Sequence, residues 1–147
     1  MGRYSVSGVT PVGTTLTLLN LTGGTTIRPT VYDIVIGSDS SPADVATRFQ
    51  VTNTSSVGTG GTTVNPRPLD PLTVAATATC LRGTFSGTPT IGNILLEISL
   101  NQRATFRWVA APGSELIAAA TANNGLQIFS VSSSGTPNSN MTMLYWE

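Results

Sequence analysis

Short runs in which apolar and polar residues alternate recur along nearly the whole chain, separated by clusters of Gly, Pro, Asn and Ser. A period of two puts successive side chains on opposite faces of an extended backbone, so each run predicts a half-buried β-strand. In residues 14–21, Leu16, Leu18 and Asn20 alternate with Thr15, Thr17 and Leu19. In 30–36, Tyr32, Ile34 and Ile36 share one face and Val31, Asp33 and Val35 the other. In 48–52, Phe49 and Val51 point inward and Arg48 and Gln50 outward. Further runs cover 74–81, 93–100, 104–110, 116–120, 126–132 and 141–146. No helical period of comparable length and no internal repeat competes with them. The pattern predicts an all-β chain: one domain, a two-sheet β-sandwich of jelly-roll type with about eight strands, an up-and-down barrel being the alternative.

The punctuation between runs adds detail. Gly and Pro break residues 1–13, which predicts an extended arm outside the sandwich. Ser41-Pro42-Ala43-Asp44 has the order of a helix start, with serine as cap, proline first and an acid in the first turn, and predicts a single helical turn. Residues 55–71 are rich in Gly, Thr and Pro and read as one long loop, a natural place for a partner contact. The strongest hairpin signal joins Ile94, Leu96, Ile98 and Leu100 to Ala104, Phe106 and Trp108. Keeping both apolar sets inward places Leu100 opposite Ala104 and Glu97 opposite Arg107. The apolar end, 141–147, predicts a paired strand, in its own sheet or at a subunit seam.

Composition narrows the chemistry. The chain has no histidine and no lysine, which removes the Ser-His-Asp triad, the Ser-Lys dyad, the Schiff-base lysine and the P-loop lysine. The lone Cys80 lies in a strand run, where a small buried thiol is expected. Asp33, Asp39, Asp44 and Asp70 match no calcium-loop spacing, and nothing in the spacing of Glu97 and Glu115 supports a glycosidase pair. Gly58-Thr59-Gly60-Gly61 neither follows a strand into a helix nor supplies a lysine, and reads as a flexible loop tip. Neither a cofactor nor a metal is implied, and the expectation is a protein that is not an enzyme. The first residues show no signal-peptide core and no myristoylation pattern, and no apolar run is long enough to span a bilayer. Three Asn-X-Ser/Thr triplets, at Asn20, Asn53 and Asn140, are expected by chance in so Thr- and Ser-rich a chain.

Only 10% of residues are charged, and seven arginines balance seven acids. No net field draws the chain to nucleic acid or an anionic membrane, and the arginines are spread out rather than clustered with aromatics. Arginine without lysine suits protein interfaces, because the guanidinium is weakly hydrated and binds carboxylates through two parallel bonds. Arg3 in the arm and Arg67 in the long loop, together with Tyr4, Tyr145 and Trp146 near the termini, are the candidate partner-interface residues.

The stretch 101–116, reading NQRATFRWVAAPGSEL, together with RPTVYD at 28–33 and GSDSSPAD at 37–44, resembles small β-rich virion proteins of tailed bacteriophages, including cyanophages. The resemblance extends over most of the chain and rests on structural motifs. It implies a capsid cement or decoration protein, often a homotrimer, seated on the capsid exterior of the virion and present in the host cytoplasm during assembly. Its partners would be the major capsid protein and further copies of itself, with neither nucleic acid nor membrane. Any reinforcement must be noncovalent on this chain's side, since there is no lysine to cross-link. Two alternatives stand beside it. One is a carbohydrate-binding sandwich, with Tyr4, Tyr32, Trp108, Tyr145 or Trp146 stacking on a sugar; the other is a tail or fibre component.

Overall fold

Twelve β-strands and no helix make up the regular structure in the computed structural model, which describes residues 1–147. They are β1 (Arg3–Pro11), β2 (Leu16–Thr22), β3 (Thr30–Ser40), β4 (Ala46–Thr54), β5 (Thr62–Val64), β6 (Arg67–Pro68), β7 (Thr79–Arg82), β8 (Ile91–Asn101), β9 (Phe106–Val109), β10 (Leu116–Ile117), β11 (Gly125–Ser133) and β12 (Asn138–Trp146). Two six-stranded antiparallel sheets result. In the first, β9 and β10 both pair with β3, followed by β12, β1 and β6; the second runs β5-β7-β2-β11-β4-β8. The chain crosses between sheets at every connection except β4–β5, β7–β8 and β9–β10, so β1, β3 and β12 lie in one sheet and β2, β4 and β11 in the other. That wrapping is a jelly roll, with β5–β7 inserted between β4 and β8 to widen both sheets on one side.

Alternation decides which side chains enter the core. On β4, Phe49 and Val51 are buried while Arg48 is exposed, as the run predicts. On β12, Met141, Met143 and Tyr145 point in, and Thr142, Leu144 and Trp146 point out. Twenty buried residues form one continuous cluster, to which each fully buried Val, Leu, Ile or Met contributes about 1.5–3 kcal/mol.

Several expectations are corrected. Residues 1–13 are not an arm: β1 is an interior strand between β12 and β6, with Tyr4 and Val6 in the core. Its punctuation has local reasons, since Pro11 closes the strand and a Cβ at Gly8 would crowd the Arg82 side chain. Residues 41–45 form no helical turn. Ser41 has φ of 48°, unlike the extended backbone of a helix cap, and Asp44 accepts from Asn101 Nδ2 at 2.5 Å instead of holding helical amides. Residues 55–71 are not structureless, because β5 pairs with β7 and β6 with β1.

The expected β8–β9 hairpin does not form either. β8 pairs with β4 in the second sheet and β9 with β3 in the first, so 102–105 is a corner between sheets. Glu97 therefore lies opposite Gln50, with Arg48 Nε at 3.5 Å, and Arg107 lies opposite Val35. On β3 a bulge facing Leu144 and Tyr145 inserts Tyr32, which reverses the parity of the strand. Val31, Ile34 and Ile36 consequently all enter the core, while Tyr32 sits half-buried on the outer surface.

Gln102, only 3% exposed, pins the corner. Its Oε1 accepts from the Ala43 amide at 3.0 Å, and its Nε2 lies 3.1 Å from Thr47 Oγ1, 3.2 Å from Ser133 Oγ and 2.9 Å from the Ser134 carbonyl. A second polar layer lies on the outer face of the second sheet, where Gln127 takes a bond from Thr17 and gives one to Thr52, and Asn20 accepts from Thr54. Asn20 also donates to the Val57 carbonyl in a flap formed by residues 55–61 and 83–90, closed by the Thr59–Gly87 bridge. Gly60, at φ of 82° and packed against Ser86, lets the flap turn there.

Two outcomes follow. Removing residues 1–11 abolishes cooperative folding, seen as loss of a thermal transition in circular dichroism; an arm would come away with the transition intact. Gln102→Ala lowers the urea-unfolding free energy by about 1–3 kcal/mol, because it empties a buried side-chain site and removes hydrogen bonds to three segments, of which the Thr47 hydroxyl is buried.

Candidate contact face

The outer face of the first sheet gathers side chains in cross-strand rows. One row runs Arg3, Trp146, Thr30 and Ile117, and the next runs Arg67, Ser5, Leu144, Asp33 and Val109. The bulged Tyr32 stacks on Trp146 with ring centroids 5.3 Å apart and planes inclined by 22°. Half-buried aromatic and aliphatic groups on β12 and β3 thus adjoin two exposed arginines at one end of the face, Arg3 on β1 and Arg67 on β6, neither of which has an ion-pair partner; the chain's salt bridges are Arg48–Glu97 and Arg107–Asp33.

Arg107 and Asp33 make the face's one internal charge pair. Nη2 donates to Oδ2 at 2.5 Å and Nε lies 3.1 and 3.2 Å from the two carboxylate oxygens, a forked geometry that neutralises the otherwise buried Asp33. The Asp33 hydrogen bonds and charge hold the Arg107 guanidinium above its ordinary pKa.

Beside the arginines, residues 69–78 form a loop held at several points. The Leu69 amide donates to the Arg3 carbonyl at 2.8 Å, and Asp70 receives the amides of Leu72 at 3.0 Å and Thr73 at 2.9 Å. Tyr4 Oη donates to the Val74 carbonyl at 3.1 Å, and the Glu147 carboxylate accepts from the Thr77 and Ala78 amides at 2.5 and 3.0 Å. So anchored, the loop presents Leu72 at 94% exposure and Val74 at 79%. Apolar side chains held out in water by a fixed backbone lose little entropy when a partner covers them.

Of the residues singled out in the sequence, Arg3, Arg67 and Trp146 meet on this face. Tyr4 and Tyr145 do not: they are 2% and 0% exposed and stack on each other in the core, 5.5 Å between centroids. Strict alternation gives the reason, since each is flanked by outward neighbours, Arg3 and Ser5 in one case and Leu144 and Trp146 in the other. Leu72 and Val74 are not among the residues the sequence singles out, and Tyr32 is singled out only as a possible sugar-stacking ring, not as a partner contact. The bulge hides Tyr32 from a period-two reading, and Val74 reads as the start of a strand.

The other candidate chemistries do not converge. Glu97 lies on the second sheet, whereas Glu115 precedes β10 of the first. Gly58–Gly61 belong to the closed flap, and the depression beside it, lined by Ser55, Ser56, Val57, Gly58, Thr59, Gly87, Thr88 and Asn123, carries no titratable side chain. Burial pushes the Cys80 thiol up from 9.0 to about 12, the opposite of what a nucleophile needs. Burial likewise raises the Tyr145 phenol, whose hydroxyl has no hydrogen-bond partner. No protein-family model, curated protein or solved structure matches the chain.

Cys80 and Tyr145 set the alkaline behaviour. Below about pH 8 both groups are protonated whether the chain is folded or not, so they give no slope. Above it the unfolded chain ionises first, and stability falls as pH rises towards 12, by up to about 1.4 kcal/mol per pH unit for each group titrating. Urea titrations across this range read the slope directly. Tyr145→Phe removes an unpartnered buried hydroxyl and is neutral or stabilising, whereas Tyr4→Phe costs about 1 kcal/mol through the lost bond to Val74.

Proposed function

We propose that this protein is a non-enzymatic structural component of a phage particle that binds the outside of the capsid and braces the contacts between capsomers. The observation that carries the reading is the composition of the first sheet's outer face. It sets a Tyr32–Trp146 stack next to unpaired Arg3 and Arg67 at one end of the face, beside an anchored loop that holds Leu72 and Val74 in water. Aromatic groups and arginine are the side chains most enriched in protein contact surfaces, and the central, fully desolvated ones supply most of the binding energy.

In this role the loop tip and the aromatic pair leave water against apolar surface on the major capsid protein. The arginines meet carboxylates through forked hydrogen bonds and set the register of docking. Each contact is modest, but many copies on one shell stabilise the assembled state by mass action, because disassembly must release all of them. A carbohydrate-binding role is the second reading, favoured by the aromatic stack on an open sheet face.

Co-sedimentation with undecorated shells of the phage that encodes the chain tests the proposal. The wild-type protein saturates the shells, and Leu72→Asp and Trp146→Ala each weaken binding by about tenfold or more while keeping a cooperative melt. Wild-type protein that stays in the supernatant sinks the capsid reading, and if it instead binds glycans on an array the second reading replaces it.

A further inference from the structure

A polar depression lies at the seam of the sandwich where the chain crosses from β5 of the second sheet to β6 of the first. Its volume is about 410 Å³, and Ser5, Ser7, Thr63, Asn65, Arg67 and Arg82 line it, with Val64 as the one apolar residue. Two of the chain's seven arginines thus share one space, and no acidic residue lines it.

Strand geometry brings these two cations together from different sheets. Arg67 on β6 lies opposite Ser5 on β1 and is exposed. Arg82 on β7 follows the buried Cys80 by two residues, so alternation turns it towards the first sheet. The residue it meets there is Gly8, where a Cβ would stand 2.8 Å from Arg82 Cδ. β6 covers β1 only at Tyr4 and Ser5, so the Arg82 side chain reaches the open edge beyond and Nη1 donates to the Val9 carbonyl at 2.6 Å. That bond holds the guanidinium in place and takes one of its five N–H donors. Neither Arg67 nor Arg82 has an ion-pair partner. Asp39 lines the adjoining depression together with Arg82, Ser7 and Thr142, and it forms no ion pair with the arginine.

We infer that this depression binds a tetrahedral oxyanion, a phosphate or sulfate group. Two guanidinium groups facing one space repel each other, and a dianion cancels both charges. A carboxylate is a planar monoanion that one arginine fork saturates, which leaves the second arginine uncompensated. Tetrahedral oxygens point in several directions and so accept from donors that approach from two sheets, the serine hydroxyls of β1 among them. The space is larger than a bare ion fills, which leaves room for a group that carries the anion, such as a sugar ring. The site does not rest on the capsid reading: it shares Ser5 and Arg67 with the contact face, whereas Arg82 lies outside that face.

Amide NMR and calorimetry at low ionic strength test the inference, with inorganic sulfate, inorganic phosphate, acetate, glucose 6-phosphate and glucose 6-sulfate as probes. Sulfate and phosphate bind at one site with a Kd of about 1 mM or tighter, and the shifts centre on Ser5, Ser7, Arg67 and Arg82. Added sodium chloride weakens binding, and acetate binds at least about tenfold more weakly. Arg82→Gln and Arg67→Gln each lower the affinity about tenfold, while Arg3→Gln leaves it unchanged. Arg67 is exposed and makes no side-chain bond, so its variant keeps the fold and carries the test even where loss of the Arg82–Val9 bond lowers stability. A sugar ester that binds more tightly than the free ion assigns the site to a carried group, and the reverse order assigns it to the free anion. No saturation by about 20 mM, acetate binding as tight as sulfate, shifts centred elsewhere, or an Arg67→Gln variant that binds like wild type overturns the proposal. None of these results decides whether the protein binds capsids, which the shell assay reads separately through Leu72→Asp and Trp146→Ala.

Discussion

The antiparallel pairing of β12 with both β1 and β3 is the constraint on which the rest of the structure depends. It locks the two ends of the chain into the middle of one sheet, with Arg3 beside Trp146 and Pro11 beside Asn138. Alternation from that register sends Tyr4, Val6, Met143 and Tyr145 into the core, and the same register sends Arg3, Ser5, Leu144 and Trp146 outward. Core and candidate face are therefore two consequences of one strand pairing. A slip of a single residue would exchange them.

The bulge in β3 refines that division. By inserting Tyr32 it keeps three aliphatic residues of one strand in the core and delivers a second aromatic ring to Trp146 on the outside. It also leaves Asp33 facing outward and nearly buried, where the Arg107 fork supplies its countercharge. Without that arginine a desolvated carboxylate would stand beside the stack, at a cost of several kcal/mol. The face is thus kept apolar at its centre by an internal ion pair, with unpaired arginines left only at its Arg3–Arg67 end.

What could be read from the sequence was what depends on neighbours along the chain. Alternation at 48–52 gives β4 its inward Phe49 and Val51, the run around Cys80 gives a buried thiol, and the repeated turns give an all-β sandwich. What could not be read depends on partners far away in sequence. Ile94–Leu100 and Ala104–Trp108 have a hairpin's spacing, yet Gln102 binds Ala43, Thr47 and Ser133 and turns the chain from one sheet to the other. Residues 1–13 look like an arm because Gly8, Pro11 and Gly13 are local breakers, and only the distant β12 makes them a strand. At the candidate face, the exposure of Arg3, Arg67 and Trp146 was accessible to sequence reasoning. The Leu72–Val74 tip was not, and Tyr32 was legible only as a ring that could stack on a sugar, because a set of loop anchors and a bulge place them.

Electron cryomicroscopy of the particle to which the proposal assigns the protein tests the proposed capsid-bracing role most directly. It predicts a two-sheet jelly roll on the outer surface of the shell, with Trp146, Tyr32 and the Leu72 loop turned towards the major capsid protein at capsomer boundaries. Density for this fold confined to the tail or fibres, or a mature shell with no such density, would contradict it.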